Sequence, residues 1–320
     1  MKLGLVLGSG AARGWAHIGI INRLKEIGFE PHIVTGSSIG ALVGAALASG
    51  KLAELQEWVK SLDNWQVFSL LDWGLGQGGL ISGEKVFEKV TETIGDVNFE
   101  DLNLPFGAVA TDLFTGRETW LTQGSLKHAL RCSCAIPGIL APYEYEGRWM
   151  VDGATVNPVP VSLCKAMGAD FVIAVDLNSD KSNLGAKNQE KVLPQAEAEE
   201  LPSEPEKPLD YVAKPGSDRN HFDKLLLSGK NYLQQLKERK QVKARTPDVF
   251  AVMSGCIDIM QDRITRSQLA GDPPDLVIQP KLSDYGIMDF DKAEALIKIG
   301  EECVDLYRPI LQYKLEHISV

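Results

Sequence analysis

The sequence holds no apolar run that approaches the length of a transmembrane helix. The opening "MKLGLVLGSGAARG" is too short and too broken by Gly4 and Gly8 to serve as a signal-peptide core, so it reads as a first strand. Cysteine is scarce: Cys132, Cys134, Cys164, Cys256 and Cys303 are odd in number and share no spacing, which argues against a disulfide framework and for a reducing, cytoplasmic compartment. The C-x-C at Cys132 and Cys134 has no neighbouring His/Cys pair, so no zinc site is expected. Basic residues are also short, 33 Lys and Arg against 43 Asp and Glu, and no basic stripe is available to hold nucleic acid. Contact with a membrane would have to be peripheral, at its inner face, and use apolar groups rather than a polybasic patch.

What is present is an alternation of strands and helices over 320 residues, enough for a sizeable core. Strands are expected at "KLGLVL", "HIVT", "PFGAVAT", "RWMV", "FVIAVDL" and "DLVIQP". Helices are expected at Ala11–Ile27 with Gly28 at its C′ position, and at 39–48, 84–94, 126–132, 248–268 and 291–308. The pattern predicts an α/β fold whose mainly parallel sheet is covered on both faces. Residues 179–217 are rich in Pro, Glu and Lys and poor in large apolar groups, and read as a disordered insertion. The expected organisation is a catalytic core over 1–178, the insertion over 179–217, and 218–320 completing the same domain, beginning with an amphipathic helix at "DKLLLSGKNYLQQLKERK".

"TGSSIGALVG" over 35–44 fits G-x-S-x-G in one register, centred on Ser38 between Gly36 and Gly40. A strand turning sharply into a helix would expose a nucleophile at the apex, with the helix N-terminus facing an oxyanion. Ser37 reads as an N-cap or turn residue. "GSGAARG", from Gly8 to Gly14, is a glycine-rich turn after the first strand that offers backbone N–H groups to an anion. A dinucleotide loop would need an acid at the end of the second strand, where "VTGSS" has none, and a P-loop would need a Lys-Ser/Thr ending. An oxyanion hole beside Ser38 is the reading left.

"GSGAARGWAHIGI", "GSSIGA" and "VDGATVNPVP", in this order, together resemble the patatin-like phospholipase family, in its bacterial branch related to neuropathy-target-esterase-type domains. "RCSCAIPGILAP" resembles that family's proline loop. The resemblance covers residues 1–178 and implies a three-layer α/β sandwich and acyl hydrolase activity on lipid esters, phospholipid or lysophospholipid, without metal or organic cofactor. It implies a Ser38 nucleophile, an Asp152 base, and oxyanion donors at the backbone of Gly8, Ser9 and Gly10 with Arg13 nearby. Ser9 and Ala154 stand where many members have glycine.

Read from the residues alone, Asp152 in "RWMVDGA" sits at a strand end, where open α/β sheets gather their sites, yet it could equally cap a turn. Asp176 in "FVIAVDLNS" is its rival, and Asp112 could hold a turn or pair with Arg117. A triad would need a histidine beyond Asp152, which leaves His221 and His317; His17 reads as packing or as support for the glycine loop. A directly bonded carboxylate would benefit from desolvation that raises its pKa. Trp58, Trp65, Phe68 and Trp73 crowd the region after the elbow helix, either as core or as an apolar rim for an acyl chain and a membrane surface. Two other readings stay open: a lipid-binding or scaffold protein with vestigial chemistry, and a Ser-His-Asp esterase of the α/β-hydrolase type.

Overall fold

In the computed structural model, residues 1–70, 72, 79–179 and 249–318 are described. Residues 180–217 of the expected insertion, the amphipathic helix that follows it, His221 and Trp73 lie outside them. The chain opens with β1 (Leu3–Leu7), a 3₁₀ turn (Ala11–Trp15) and α1 (Ala16–Glu26), then β2 (Ile33–Ser37), α2 (Ile39–Ala48), α3 (Leu52–Ser61) and α4 (Asn64–Leu70). It continues through β3 (Gly79–Ile81), α5 (Glu84–Ile94), β4 (Phe106–Asp112), β5 (Glu118–Leu121), α6 (Leu126–Ser133), β6 (Gly138–Leu140), β7 (Tyr143–Tyr145) and β8 (Arg148–Asp152). The remaining elements are α7 (Val161–Ala166), β9 (Phe171–Val175), α8 (Val249–Gly271), β10 (Leu276–Ile278) and α9 (Ala293–Ile318).

The main sheet runs β10-β9-β1-β2-β4-β8-β7, with β5 also paired to β4. From β10 to β4 every pairing is parallel, whereas β8 runs antiparallel to both β4 and β7. Side chains alternate between the two faces of a strand, and here both faces are dry. Leu5 and Leu7 of β1 join the larger core, and so do Phe171, Ile173 and Val175 of β9. Val6, Val172 and Ala174 point the other way, into a smaller core that includes Val161 and Cys164 of α7. Three layers result: helices, a mostly parallel sheet, helices.

On the larger-core side α1 lies against α9 at unusually short range. A Cβ added at Gly19 would stand 1.9 Å from the Ile297 carbonyl oxygen, and one at Gly300 would stand 2.1 Å from that of Ala16. The two glycines let the helix backbones touch.

The sheet and the site below lie in the unit formed by Met1–Asn183 and Cys256–Val320. Of the other unit, Leu184–Gly255, the described residues are the first turns of α8. Among the described residues no helix is long and apolar enough to cross a membrane.

Candidate active site

The register of the sheet sets two loops side by side. Leu7 pairs with Gly36, so the glycine-rich turn leaving β1 and the elbow leaving β2 emerge at the same level. Ser38 is the residue between β2 and α2, with φ 57° and ψ −127°, a conformation that side-chain-bearing residues rarely adopt. The glycines around it are demanded by contact: a Cβ at Gly40 would lie 2.0 Å from the Leu7 carbonyl oxygen, and one at Gly36 would lie 2.4 Å from Gly40. Ser37 does not cap α2. It ends β2, wholly buried, and its hydroxyl has no hydrogen-bond partner among the described residues.

The Ser38 hydroxyl donates to Asp152 Oδ2 at 2.6 Å. Both residues are buried, at 4% and 2% exposure, so neither carboxylate nor hydroxyl is well solvated. The other carboxylate oxygen, Oδ1, accepts the Ala154 N–H at 2.8 Å, and Thr111 Oγ1 donates to the Asp152 carbonyl at 2.9 Å. Burial pushes the Asp152 carboxyl from 3.8 up to about 7, against the opposing pull of the hydrogen bonds from Ser38 and Ala154. A carboxylate so placed can accept a hydroxyl proton near neutral pH.

Asp152 reaches this place by a route the strand-end rule does not describe. It ends β8, which runs against the parallel strands; pairing of Asp152 with Ala110 brings it back to the level at which β2 delivers Ser37 beside Val109. Asp176 is spent elsewhere: its Oδ1 accepts the Asn178 N–H at 2.9 Å and its Oδ2 accepts from Gln279 Nε2 at 3.4 Å. Asp112 is a turn residue, its Oδ1 accepting the N–H groups of Phe114 and Thr115.

The glycine-rich loop is only partly available to an oxyanion. The Gly8 N–H donates to the Val175 carbonyl at 3.0 Å and that of Ser9 to the Pro158 carbonyl at 2.9 Å, so these two amides are turned away from Ser38. Arg13 is not aimed at the site either. Its buried guanidinium pairs with the partly buried Asp258 of α8, Nη2 lying 3.1 Å from each carboxylate oxygen. Among the described residues the Gly10 and Ala11 N–H groups have no protein acceptor, and both residues line the same small cavity as Ser38 and Asp152.

Each of the four described histidines has a partner for one ring nitrogen away from Ser38 and Asp152. His17 is wholly buried beneath the loop, with Nε2 2.8 Å from the Gly8 carbonyl, and burial lowers its pKa to about 4, so it is a neutral N–H donor there. His32 Nδ1 accepts the Leu3 N–H, His128 Nδ1 meets the Tyr143 hydroxyl, and His317 Nδ1 meets the Tyr313 carbonyl.

Several site residues were given no specific role by the sequence, although Ser133 and Ala135 lie in the proline-loop stretch and Trp58 in the aromatic cluster. Ser133, at the end of α6, accepts the Ser38 N–H at 3.0 Å and so holds the elbow from behind. The Ala135 carbonyl accepts the Asp152 N–H at 2.9 Å. An apolar cavity enclosing about 730 Å³, its open mouth included, has Ser38 in its wall, with Leu42, Trp58, Leu62, Leu70, Phe87 and Phe290 among the apolar side chains that line it. Trp58 is therefore a cavity wall. Trp65, at 74% exposure, and Phe68, at 54%, project outward from α4, stacked on each other with ring centroids 6.3 Å apart.

Residues 5–165 match the family model described as patatin-like phospholipase. An uncharacterized NTE family protein of Mycobacterium bovis is 34% identical over 93% of this chain and 89% of its own length. The neuropathy target esterase sws of Drosophila melanogaster is 34% identical over 58% of this chain, a stretch that makes up 14% of that longer protein. Among solved structures, VipD from Legionella pneumophila aligns with 60% of this chain and 53% of its own at TM-score 0.38 and 16% identity.

Proposed function

The chain belongs to the patatin-like phospholipase family, and from that premise we propose that it hydrolyses lipid carboxyl esters, of phospholipid or lysophospholipid, through a Ser38–Asp152 dyad. The observation that carries this reading is the 2.6 Å bond between two buried side chains, of which Ser38 also lies in the wall of an apolar cavity. Asp152 takes the hydroxyl proton as Ser38 Oγ attacks the ester carbonyl. The tetrahedral oxyanion is met by the N–H groups of Gly10 and Ala11, and donors of this kind are worth most where water is excluded. Collapse expels the alcohol, which carries off the proton held by Asp152, and leaves Ser38 acylated. Water then attacks the acyl-enzyme with Asp152 again as base, releasing the fatty acid.

The cavity lined by Leu42, Trp58 and Phe87 receives the acyl chain in this scheme. The outward face of α4, with Trp65 and Phe68, forms the apolar rim that touches a membrane surface, Val67 and Leu70 of the same helix lying on the cavity side. The protein is then a cytoplasmic enzyme with a peripheral membrane contact, and of the segment expected to complete the domain begun by 1–178, the part from Cys256 onward does so. Labelling of the purified protein by a fluorophosphonate probe, with release of fatty acid from phosphatidylcholine and lysophosphatidylcholine, tests the reading. Absence of both in folded protein would overturn it in favour of a lipid-binding or scaffold role.

A further inference from the structure

The oxyanion loop contains a peptide unit whose orientation its own backbone does not decide. Between Ser9 and Gly10 the peptide is trans, so its carbonyl and its N–H point in opposite directions. Glycine at one end makes either orientation of that unit accessible at little backbone cost. Only one of the two turns the Gly10 N–H into the cavity that holds Ser38.

Behind the loop lies the chain leaving β9. A Cβ added at Gly10 would come within 2.8 Å of Leu177 Cδ1, which shows how closely the two segments approach. The next residue, Asn178, is 1% exposed, and its Nδ2 donates to the Ser9 carbonyl at 3.1 Å. Asn178 is itself held, its N–H on Asp176 Oδ1 at 2.9 Å and its Nδ2 also 3.4 Å from Gln261 Oε1 on α8. The Ser9 hydroxyl donates to the same Gln261 oxygen at 3.2 Å. Reversing the Ser9–Gly10 peptide would take from Asn178 Nδ2 the nearest of its acceptors, leave it only Gln261 Oε1 at 3.4 Å and Ser9 Oγ at 3.5 Å, and bring a second N–H against it, a less favourable buried arrangement.

We infer that Asn178 is a positioning residue for the oxyanion hole: by holding the Ser9 carbonyl it fixes the direction of the Gly10 N–H. The inference rests on the serine hydrolase reading above. It also gives the serine at position 9 a role of its own, since that hydroxyl ties the loop to Gln261 and so to the partner of Asn178.

The test compares wild type, Asn178→Ala and Asn178→Asp, the second being isosteric and lacking the donor, in hydrolysis of a medium-chain p-nitrophenyl ester. Each folded variant should lose roughly 10- to 100-fold in kcat with KM little changed, since a misdirected donor harms the transition state more than the bound ester. An alkyl trifluoromethyl ketone provides the second readout. Ser38 Oγ adds to its carbonyl, the proton passes to Asp152, and the hemiketal oxygen takes the negative charge facing Gly10. Its Ki should weaken by the same factor as kcat/KM, while the Ki of the matching alkyl alcohol and the apparent pKa of kcat/KM stay at their wild-type values. Full kcat in either folded variant would overturn the inference, and so would equal weakening of ketone and alcohol, which marks general damage to the cavity. If wild type itself neither cleaves the ester nor reacts with a fluorophosphonate, the hydrolase reading fails instead.

Discussion

Asp152→Asn separates the two consequences of burying a carboxylate against a serine. Asparagine keeps the shape and can still accept the Ala154 N–H, but it cannot take the Ser38 proton. Loss of a general base typically removes roughly 10² to 10⁴ in rate, so ester turnover should fall by about that much. The wild-type pH profile carries the same information. With the Asp152 carboxyl raised to about 7 by burial, its ionised fraction climbs about tenfold between pH 6 and pH 8, and kcat/KM should climb with it.

Stability should move in the opposite sense. Between pH 4 and 7 the folded protein keeps a proton on Asp152 that the unfolded chain has released, so this group lowers stability as pH rises through that window. Displacement from 3.8 to about 7 corresponds to roughly 4 kcal/mol once both forms are ionised, as an upper bound. The substituted asparagine does not ionise and escapes that loss. The Tm of Asp152→Asn should match wild type near pH 4.5 and exceed it by several degrees at pH 8. Thermal melts across pH, run beside initial rates on one ester, measure both effects. An activity profile flat from pH 5 to 8, or a variant less stable than wild type by the same margin at every pH, would refute the reasoning.

Ser38→Ala should abolish fluorophosphonate labelling and ester cleavage in a folded protein, whereas Ser37→Ala, which removes a hydroxyl with no partner among the described residues, should keep substantial activity. Gly10→Val should lower kcat by roughly a hundredfold or more, because its Cβ drives into Leu177 and displaces the donor amide; circular dichroism would confirm that the fold persists. Asp258→Ala should destabilise by about 3 kcal/mol in urea melts, since it leaves the buried Arg13 guanidinium without its carboxylate. Trp65→Ser with Phe68→Ser should reduce co-sedimentation with phosphatidylcholine vesicles while sparing hydrolysis of a soluble ester, because both side chains face away from the cavity.

Much of the site could be read from local pattern. The G-x-S-x-G register singled out Ser38 because the strained elbow and the close approach of Gly36 to Gly40 are made within a few residues of chain, and such constraints leave their mark as glycines at fixed spacing. Alternation of strand and helix likewise announced the α/β class, since both periodicities are local. The three- and four-residue strands β3, β5, β6 and β7 had no such mark, because strands that short are defined by their partners rather than by their own sequence.

What depended on the tertiary structure was every choice among chemically equivalent groups. Asp112, Asp152 and Asp176 are the same residue type, each at the end of a strand; only the antiparallel pairing of β8 on β4 brings one of them onto Ser38. Four successive amides of one glycine-rich loop differ only in whether Val175 and Pro158, more than a hundred residues away, have already claimed their hydrogens. Hydrogen-bond satisfaction and burial are properties of the assembled core, so the sequence by itself could specify which groups were able to react, and the packing of distant segments selected the ones that are placed to do so.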